Sequence, residues 1–111
     1  RAENLAPPLS DLLSLSEEAF RERFRRSPVR RARRDGFVRN VAIAIGNSGR
    51  PELVEPLVRA LEDRSPLVRG HVAWALGRLG GRTARVALEA RAAVEEDAWV
   101  LEEIAAARSG C

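Results

Sequence analysis

Apolar residues recur at intervals of three and four along residues 66–79, which is the spacing of one face of an α-helix. The residues of that face are Val68, Val72, Leu76 and Leu79. Ser65 is a candidate N-cap, Pro66 suits the first helical position, and Gly80 can end the helix. The sequence therefore predicts a helix over residues 66–79 with this face turned towards the core.

The same criteria predict helices near residues 37–47, 52–62, 83–95 and 98–108, and a shorter helical pair within residues 9–34. Pro56 falls inside one of these stretches, and because it lacks a backbone N–H we expect it to bend that helix. No stretch alternates apolar and polar residues for long enough to indicate a β-strand. The predicted class is therefore all-α.

Part of the sequence is repeated. The motif VAIAIG, which ends at Gly46, matches VAWALG, which ends 31 residues later at Gly77. A weaker third copy runs over residues 97–107. Repeats of about thirty residues that contain two helices each are typical of stacked helical hairpins, and this repeat resembles the short HEAT-like repeat family. We predict one domain over residues 1–111, a HEAT-like α–α superhelix of stacked hairpins, with a leading hairpin at 9–34 and repeat helices within 37–62, 66–95 and 98–108.

Two ion pairs are expected from the repeat pattern. The run from Leu61 to Arg69, LEDRSPLVR, is similar to the turn of short HEAT-like repeats, in which an aspartate and an arginine pair structurally. We therefore expect a structural salt bridge between Asp63 and Arg69. By the same argument we expect Arg39 to pair with Asp35.

Positive charge is concentrated near the N-terminal end. Residues 21–39 contain nine arginines against Glu22 and Asp35, a net charge of +7, whereas the whole chain carries +3. Such a cluster can bind several phosphates in a salt-dependent manner. The alternative is a solvated face with local salt bridges. In this segment the candidate nucleic-acid contacts are Arg26, Arg30, Arg31, Arg33, Arg34, Arg39 and the neighbouring Asn40.

A second candidate surface lies on the predicted helix 66–79. Leu67, His71, Trp74 and Arg78 share one face, and an aromatic ring beside a cation suits base stacking. The equivalent positions one repeat earlier are Asn40, Ile43 and Asn47, whereas the third copy offers Glu102 and Glu103, which would repel phosphate. His71, Trp74 and Arg78 are therefore added as candidate nucleic-acid contacts. The alternative for Trp74 is simple packing against an adjacent hairpin.

Catalytic chemistry has little support. His71 is the only histidine, Cys111 is the only cysteine, and there is no glycine-rich phosphate loop. The acidic group around residues 95–97 and 102–103 is better explained by a helix start and a solvated face than by a metal site. We expect no catalytic, metal-binding or cofactor-binding residue in this chain.

Composition adds two further expectations. There is no apolar run long enough for a membrane span and no secretory signal pattern, so we expect a cytoplasmic protein. The chain begins at Arg1 and contains no methionine, so we expect it to be a fragment of a larger protein. All nineteen basic residues are arginine, which reflects either a coding bias or a preference for bidentate phosphate contacts.

Several motifs resemble one enzyme family. These are LSEEAF up to Phe20, SPVRR up to Arg31, RNVAIAIGN up to Asn47, and HVAWAL from His71. Together they resemble the C-terminal part of tRNA epoxyqueuosine reductase, over roughly residues 5–80. The most specific of them is RNVAIAIGN.

The resemblance implies a parent oxidoreductase that uses cobalamin and two 4Fe–4S clusters to reduce epoxyqueuosine in tRNA. Its cluster cysteines and cobalamin pocket lie upstream in the family, so no catalytic residue carries over to this chain. The partners it implies are the tRNA anticodon stem-loop and the upstream iron–sulfur and cobalamin domains. The chain would seat the stem-loop or brace the iron–sulfur domain. The alternatives are a HEAT-like protein–protein scaffold without an RNA role and, ranked behind it, a HEAT-like DNA repair enzyme.

Overall fold

The computed structural model describes residues 8–25 and 34–110, and within these ranges the chain is helical and has no strand. The helices are α1 (Leu9–Leu13), α2 (Glu17–Phe24), α3 (Arg34–Ser48), α4 (Val54–Ala60), α5 (Pro66–Leu79), α6 (Arg82–Ala92) and α7 (Ala98–Gly110), with a 3₁₀ turn at Pro51–Leu53. The predicted all-α class is confirmed. No helix in these ranges is both long and apolar enough to cross a lipid bilayer.

Helix α5 begins and ends where the sequence predicts. The Ser65 hydroxyl accepts a hydrogen bond from the amide of Val68, and Pro66 occupies the first turn. Gly80 ends the helix with φ +72°, a conformation that costs glycine little, and its amide donates to the carbonyl of Leu76. Local capping chemistry is therefore enough to fix this element.

The stretch around Pro56 is divided rather than continuous. Residues 51–53 form a 3₁₀ turn, and α4 starts only at Val54. Pro56 thus lies in the first turn of α4, where a backbone N–H would have no partner within the helix. The predicted helix over 52–62 is corrected to a 3₁₀ turn followed by a short α-helix.

The helices form two layers. Helices α3, α5 and α7 pack side by side, and α4 and α6 cover them on one side. Close approach depends on small residues, since a Cβ built at Gly77 would lie 2.9 Å from the Cα of Ala107. The predicted core face of α5 is confirmed for Val68, Val72 and Leu76, which are fully buried, while Leu79 packs at its edge.

The leading helices are held on the stack by aromatic rings. Phe20 and Phe24 of α2 and Phe37 of α3 form a triangle with ring centroids 5.0–5.5 Å apart. Phe20 is almost completely buried. This cluster anchors α2 against the start of α3.

Candidate nucleic-acid interface

Arg34, one of the predicted nucleic-acid contacts, is buried and bonded internally. Its Nη1 and Nη2 donate to the two carboxylate oxygens of Asp63 at 2.9 and 2.6 Å, and its Nε donates to the carbonyl of Leu15 at 2.8 Å. Only 5% of its side chain is exposed. The prediction that Arg34 contacts nucleic acid is therefore wrong, because its donors join the loop after α1 to the loop after α4.

Asp63 pairs with Arg34 and not with Arg69 as the repeat pattern predicted. Burial by itself would raise the pKa of the Asp63 carboxyl, but hydrogen bonds from Arg34 and from the amide of Ser65 outweigh it and lower that pKa. The hydrogen bond to Asp63 likewise raises the pKa of Arg34. Arg69 contacts only the backbone carbonyl of Asp63, at 2.8 Å.

The carboxylate partner of Arg69 is Glu95, which lies one repeat further along the chain. Two parallel hydrogen bonds of 2.9 Å join them, and Arg91 adds a third at 2.9 Å. The Glu95 side chain is completely buried. The hydrogen bond from Arg69 is the main cause that lowers the pKa of Glu95 to about 2.

The other predicted ion pair, between Arg39 and Asp35, is also wrong. Asp35 accepts from Arg34 at 3.1 Å and lies 3.4 Å from the guanidinium of Arg64. Arg39 instead donates from Nε to the side-chain oxygen of Asn40 at 3.0 Å, at a partly exposed position of α3. Arg39 and Asn40 therefore remain accessible on one surface.

Trp74 and Arg78 lie together on the surface formed by α3 and α5. The guanidinium carbon of Arg78 is 5.6 Å from the centroid of the Trp74 ring, a cation–π distance. Its Nη2 reaches Oδ1 of Asn47 on α3 at 3.4 Å. Trp74 is half-buried because its ring covers Gly46, where an added Cβ would lie 2.6 Å from Cζ3. Trp74 thus packs against the preceding hairpin and still exposes part of its ring.

His71 lies one turn before Trp74 on α5 and is also half-buried. Its Nδ1 is 2.9 Å from the carbonyl oxygen of Leu67. A carbonyl oxygen only accepts, so Nδ1 donates this hydrogen bond and Nε2 takes no part in it. The ring also packs against Trp99 of α7, with centroids 5.4 Å apart.

The structure therefore places Asn40, His71, Trp74 and Arg78 on neighbouring helices α3 and α5. With Arg39 they remain predicted contacts. The predicted contacts outside the described residues are Arg26, Arg30, Arg31 and Arg33.

Trp99 was missed as a residue of this surface, and Glu103 was expected only to repel phosphate beyond it. Trp99 sits over Gly70 and His71, and Glu103 lines a groove together with Trp74 and Arg78. The signal for Trp99 was a glycine in the middle of a predicted helix, which often marks a close approach. Nothing local could have paired Glu103 with Trp74, because they belong to different helices.

The acidic group at the start of α7 provides a helix cap, as expected, but Glu95 is buried and does not lie on the predicted solvated face. Asp97 accepts a hydrogen bond from the amide of Val100 at 3.0 Å and so caps the helix, while Glu95 is held by arginines. Among residues 8–25 and 34–110, no group of histidine, cysteine and acidic side chains could hold a metal ion. A 4Fe–4S cluster needs four thiolates, and the sequence has one cysteine, so the chain does not fit such a cluster.

A family model described as HEAT repeats matches residues 29–108. The chain belongs to the HEAT-repeat family. Epoxyqueuosine reductase of Listeria monocytogenes is 33% identical over 105 residues, which is 94% of this chain and 28% of that protein. Epoxyqueuosine reductase of Pseudomonas aeruginosa is 43% identical over 76 residues, which is 65% of this chain and 20% of that protein.

Solved structures agree with this HEAT-repeat assignment. A crystal structure of epoxyqueuosine reductase with an epoxyqueuosine-modified tRNA-Tyr stem-loop superimposes with a TM-score of 0.87 at 25% identity, covering 99% of this chain and 30% of that one. A selenomethionine-labelled epoxyqueuosine reductase superimposes with a TM-score of 0.86. The predicted resemblance to the HEAT-like region of these reductases is confirmed. The chain spans less than a third of the relatives and structures named here.

Proposed function

We propose that this chain is the HEAT-repeat part of an epoxyqueuosine reductase and that it helps to seat the anticodon stem-loop of tRNA. The observation that carries the proposal is the likeness, over nearly the whole chain, to a reductase solved with a tRNA stem-loop. The chain supplies binding surface, and the reduction itself would belong to other parts of a longer protein. Cobalamin and two 4Fe–4S clusters would be bound there, and the compartment would be the cytoplasm.

The residues that support RNA contact lie on α3 and α5. Arg39 and Arg78 present guanidinium groups that make no salt bridge within the described residues, so both charges remain available for phosphate. Asn40 and Asn47 add neutral hydrogen-bonding groups beside them, and His71 adds its Nε2 atom. Cations surrounded by neutral polar groups are typical of surfaces that follow an RNA backbone.

A titration of a tRNA anticodon stem-loop at several salt concentrations tests the proposal. We expect the affinity to fall steeply with salt, and Arg78→Ala to reduce the slope of log Kd against log salt by about 1. The matched control is Arg85→Ala, which removes an exposed arginine from α6 in the other layer. The proposal is overturned if Kd is insensitive to salt, or if the two variants weaken binding equally.

Bracing of the iron–sulfur domain is the alternative role within the same parent enzyme. In that case the chain would not bind a free stem-loop, and Arg78→Ala would weaken the docking of the other domains instead. If the chain is instead a protein–protein scaffold without an RNA role, neither the chain nor the whole parent protein should bind the stem-loop through it. Stem-loop titrations with the chain and with the whole enzyme separate these outcomes.

A further inference from the structure

A small groove lies between the C-terminal half of α5 and the residues of α7 from Glu103 onward, beside the surface described above. Its volume is about 210 Å³, and its walls are Trp74 and Arg78 on one side and Glu103 on the other. Small residues, among them Gly77 and Ala106, make up the remainder of the wall. Pockets for drug-sized ligands measure roughly 300–1,000 Å³, so this groove suits one flat ring system rather than a whole cofactor.

The charged groups of this groove do not neutralise one another. Arg78 and Glu103 line the same groove without forming a salt bridge, and Arg78 directs Nη2 towards Asn47. Glu103 is half-buried and makes no hydrogen bond or ion pair with any residue in 8–25 or 34–110. The groove therefore offers an aromatic wall with a free carboxylate at one end and a cation at the other.

The negative end of the groove is formed by Glu103, on the second turn of α7. Its carboxylate favours a ligand edge that presents hydrogen-bond donors. A phosphate is excluded from the Glu103 side and favoured beside Arg78.

We propose that this groove binds one unpaired guanine base of the RNA, stacked on Trp74 with its N1–H and N2–H₂ donating to the carboxylate of Glu103. Guanine alone carries two adjacent donors on its Watson–Crick edge. The corresponding edges of adenine and cytosine place an acceptor beside the amino group, and the single donor of uracil is flanked by two acceptors. Arg78 lies beside the backbone phosphate of the same nucleotide. This inference rests on the proposed RNA-binding function and explains why a carboxylate borders a surface suited to phosphate.

Tryptophan fluorescence can measure this interaction directly. The chain has two tryptophans, so Trp99→Phe leaves Trp74 as the only reporter. The probes are single-stranded RNA hexamers of uridine in which one central position is guanosine, adenosine, cytidine or uridine. We expect the guanosine hexamer to quench Trp74 and to bind about tenfold more tightly than the other three, since a bidentate base contact discriminates by that order.

Two variants attribute that preference to the groove. Glu103→Gln replaces the carboxylate by an amide with only one acceptor, and we expect it to abolish the preference for guanosine. Its control is Glu102→Gln, the exposed neighbour, which should retain the preference. Ala106→Leu fills the groove without changing any charge, and it should abolish the preference even if Glu103→Gln fails to fold.

Each result counts for or against the groove. Equal affinities for the four hexamers, or a guanosine preference that survives both Glu103→Gln and Ala106→Leu, overturn the inference. Quenching by an arginine-containing peptide but by no hexamer assigns the groove to a protein partner and also overturns it. Stem-loop binding without a guanosine preference leaves the proposed function standing, whereas loss of all stem-loop binding removes the proposed function itself.

Discussion

Arg69 and Glu95 join two successive repeats through two parallel hydrogen bonds, each 2.9 Å long. Arg34 and Asp63 do the same one repeat earlier, at 2.9 and 2.6 Å. In both cases an arginine near the start of a helix in the α3–α5–α7 layer binds a carboxylate in the loop before the next helix of that layer. Carboxylate and guanidinium are largely buried in both pairs, so each pair fixes the spacing of neighbouring repeats.

Removing the Glu95 carboxylate should destabilise the stack strongly. Glu95→Ala leaves Arg69 and Arg91 partly buried without their partner, so we expect the free energy of unfolding to fall by about 3–5 kcal/mol. Urea denaturation followed by circular dichroism measures this change. The control is Glu96→Ala at the exposed neighbouring position, which should stay within about 0.5 kcal/mol of the original chain.

The same carboxylate makes stability depend on acid pH. The pKa of Glu95 is lowered from its ordinary value of 4.5 to about 2 in the folded chain. Because the folded pKa is the lower one, the stabilisation is complete above pH 4.5 and is lost as the pH falls towards 2. Asp63, whose pKa is also lowered, adds to the loss in the same direction.

Urea midpoints measured at pH 7, 4 and 3 check this dependence. We expect Glu95→Gln to be less stable at pH 7 and to lose less of its stability on acidification than the original chain. Parallel pH profiles for the two proteins would show that Glu95 does not couple folding to proton binding.

Gly46 should not tolerate alanine. In most helix interiors this substitution stabilises by roughly 0.5–1 kcal/mol. At Gly46 the new Cβ would lie 2.6 Å from Trp74 and 3.1 Å from the backbone of Ala75, so we expect a loss of about 1–3 kcal/mol. Gly36→Ala in the same helix is the control, because its Cβ would meet only the end of Arg39 at 3.6 Å. Thermal unfolding should move in opposite directions for the two variants, and a common direction would argue against the tight seat of Trp74.

Arg34 and Arg39 should differ sharply although both belong to the same basic segment. Arg34→Ala removes the partner of the buried Asp63 and the bond to Leu15, and should cost about 3–5 kcal/mol of unfolding free energy. Arg39→Ala removes one exposed hydrogen bond to Asn40 and should cost about 1 kcal/mol or less. Arg39→Ala should weaken the binding of the stem-loop. Arg34→Ala should hardly change that affinity when it is measured on the fraction of the protein that remains folded. The reverse ranking in either assay contradicts the assignment of Arg34 to the interior.

The local sequence pattern alone determined the positions of several helices and their repetition along the chain. The apolar spacing from Val68 onward and the caps at Ser65 and Gly80 determined α5, because these signals act within one or two turns of helix. The repetition of VAIAIG as VAWALG identified repeated helices for the same reason, since each motif lies within a single helix, α3 or α5.

Tertiary structure decided which charged side chains pair inside the protein and which remain available to a partner. The repeat pattern paired Asp63 with Arg69, yet loop geometry brings Asp63 to Arg34 and Glu95 to Arg69. Such pairing depends on distances between helices far apart in the chain, which local periodicity does not contain. The same is true of Trp74 and Glu103, which define one groove only because α5 and α7 pack against each other at small residues.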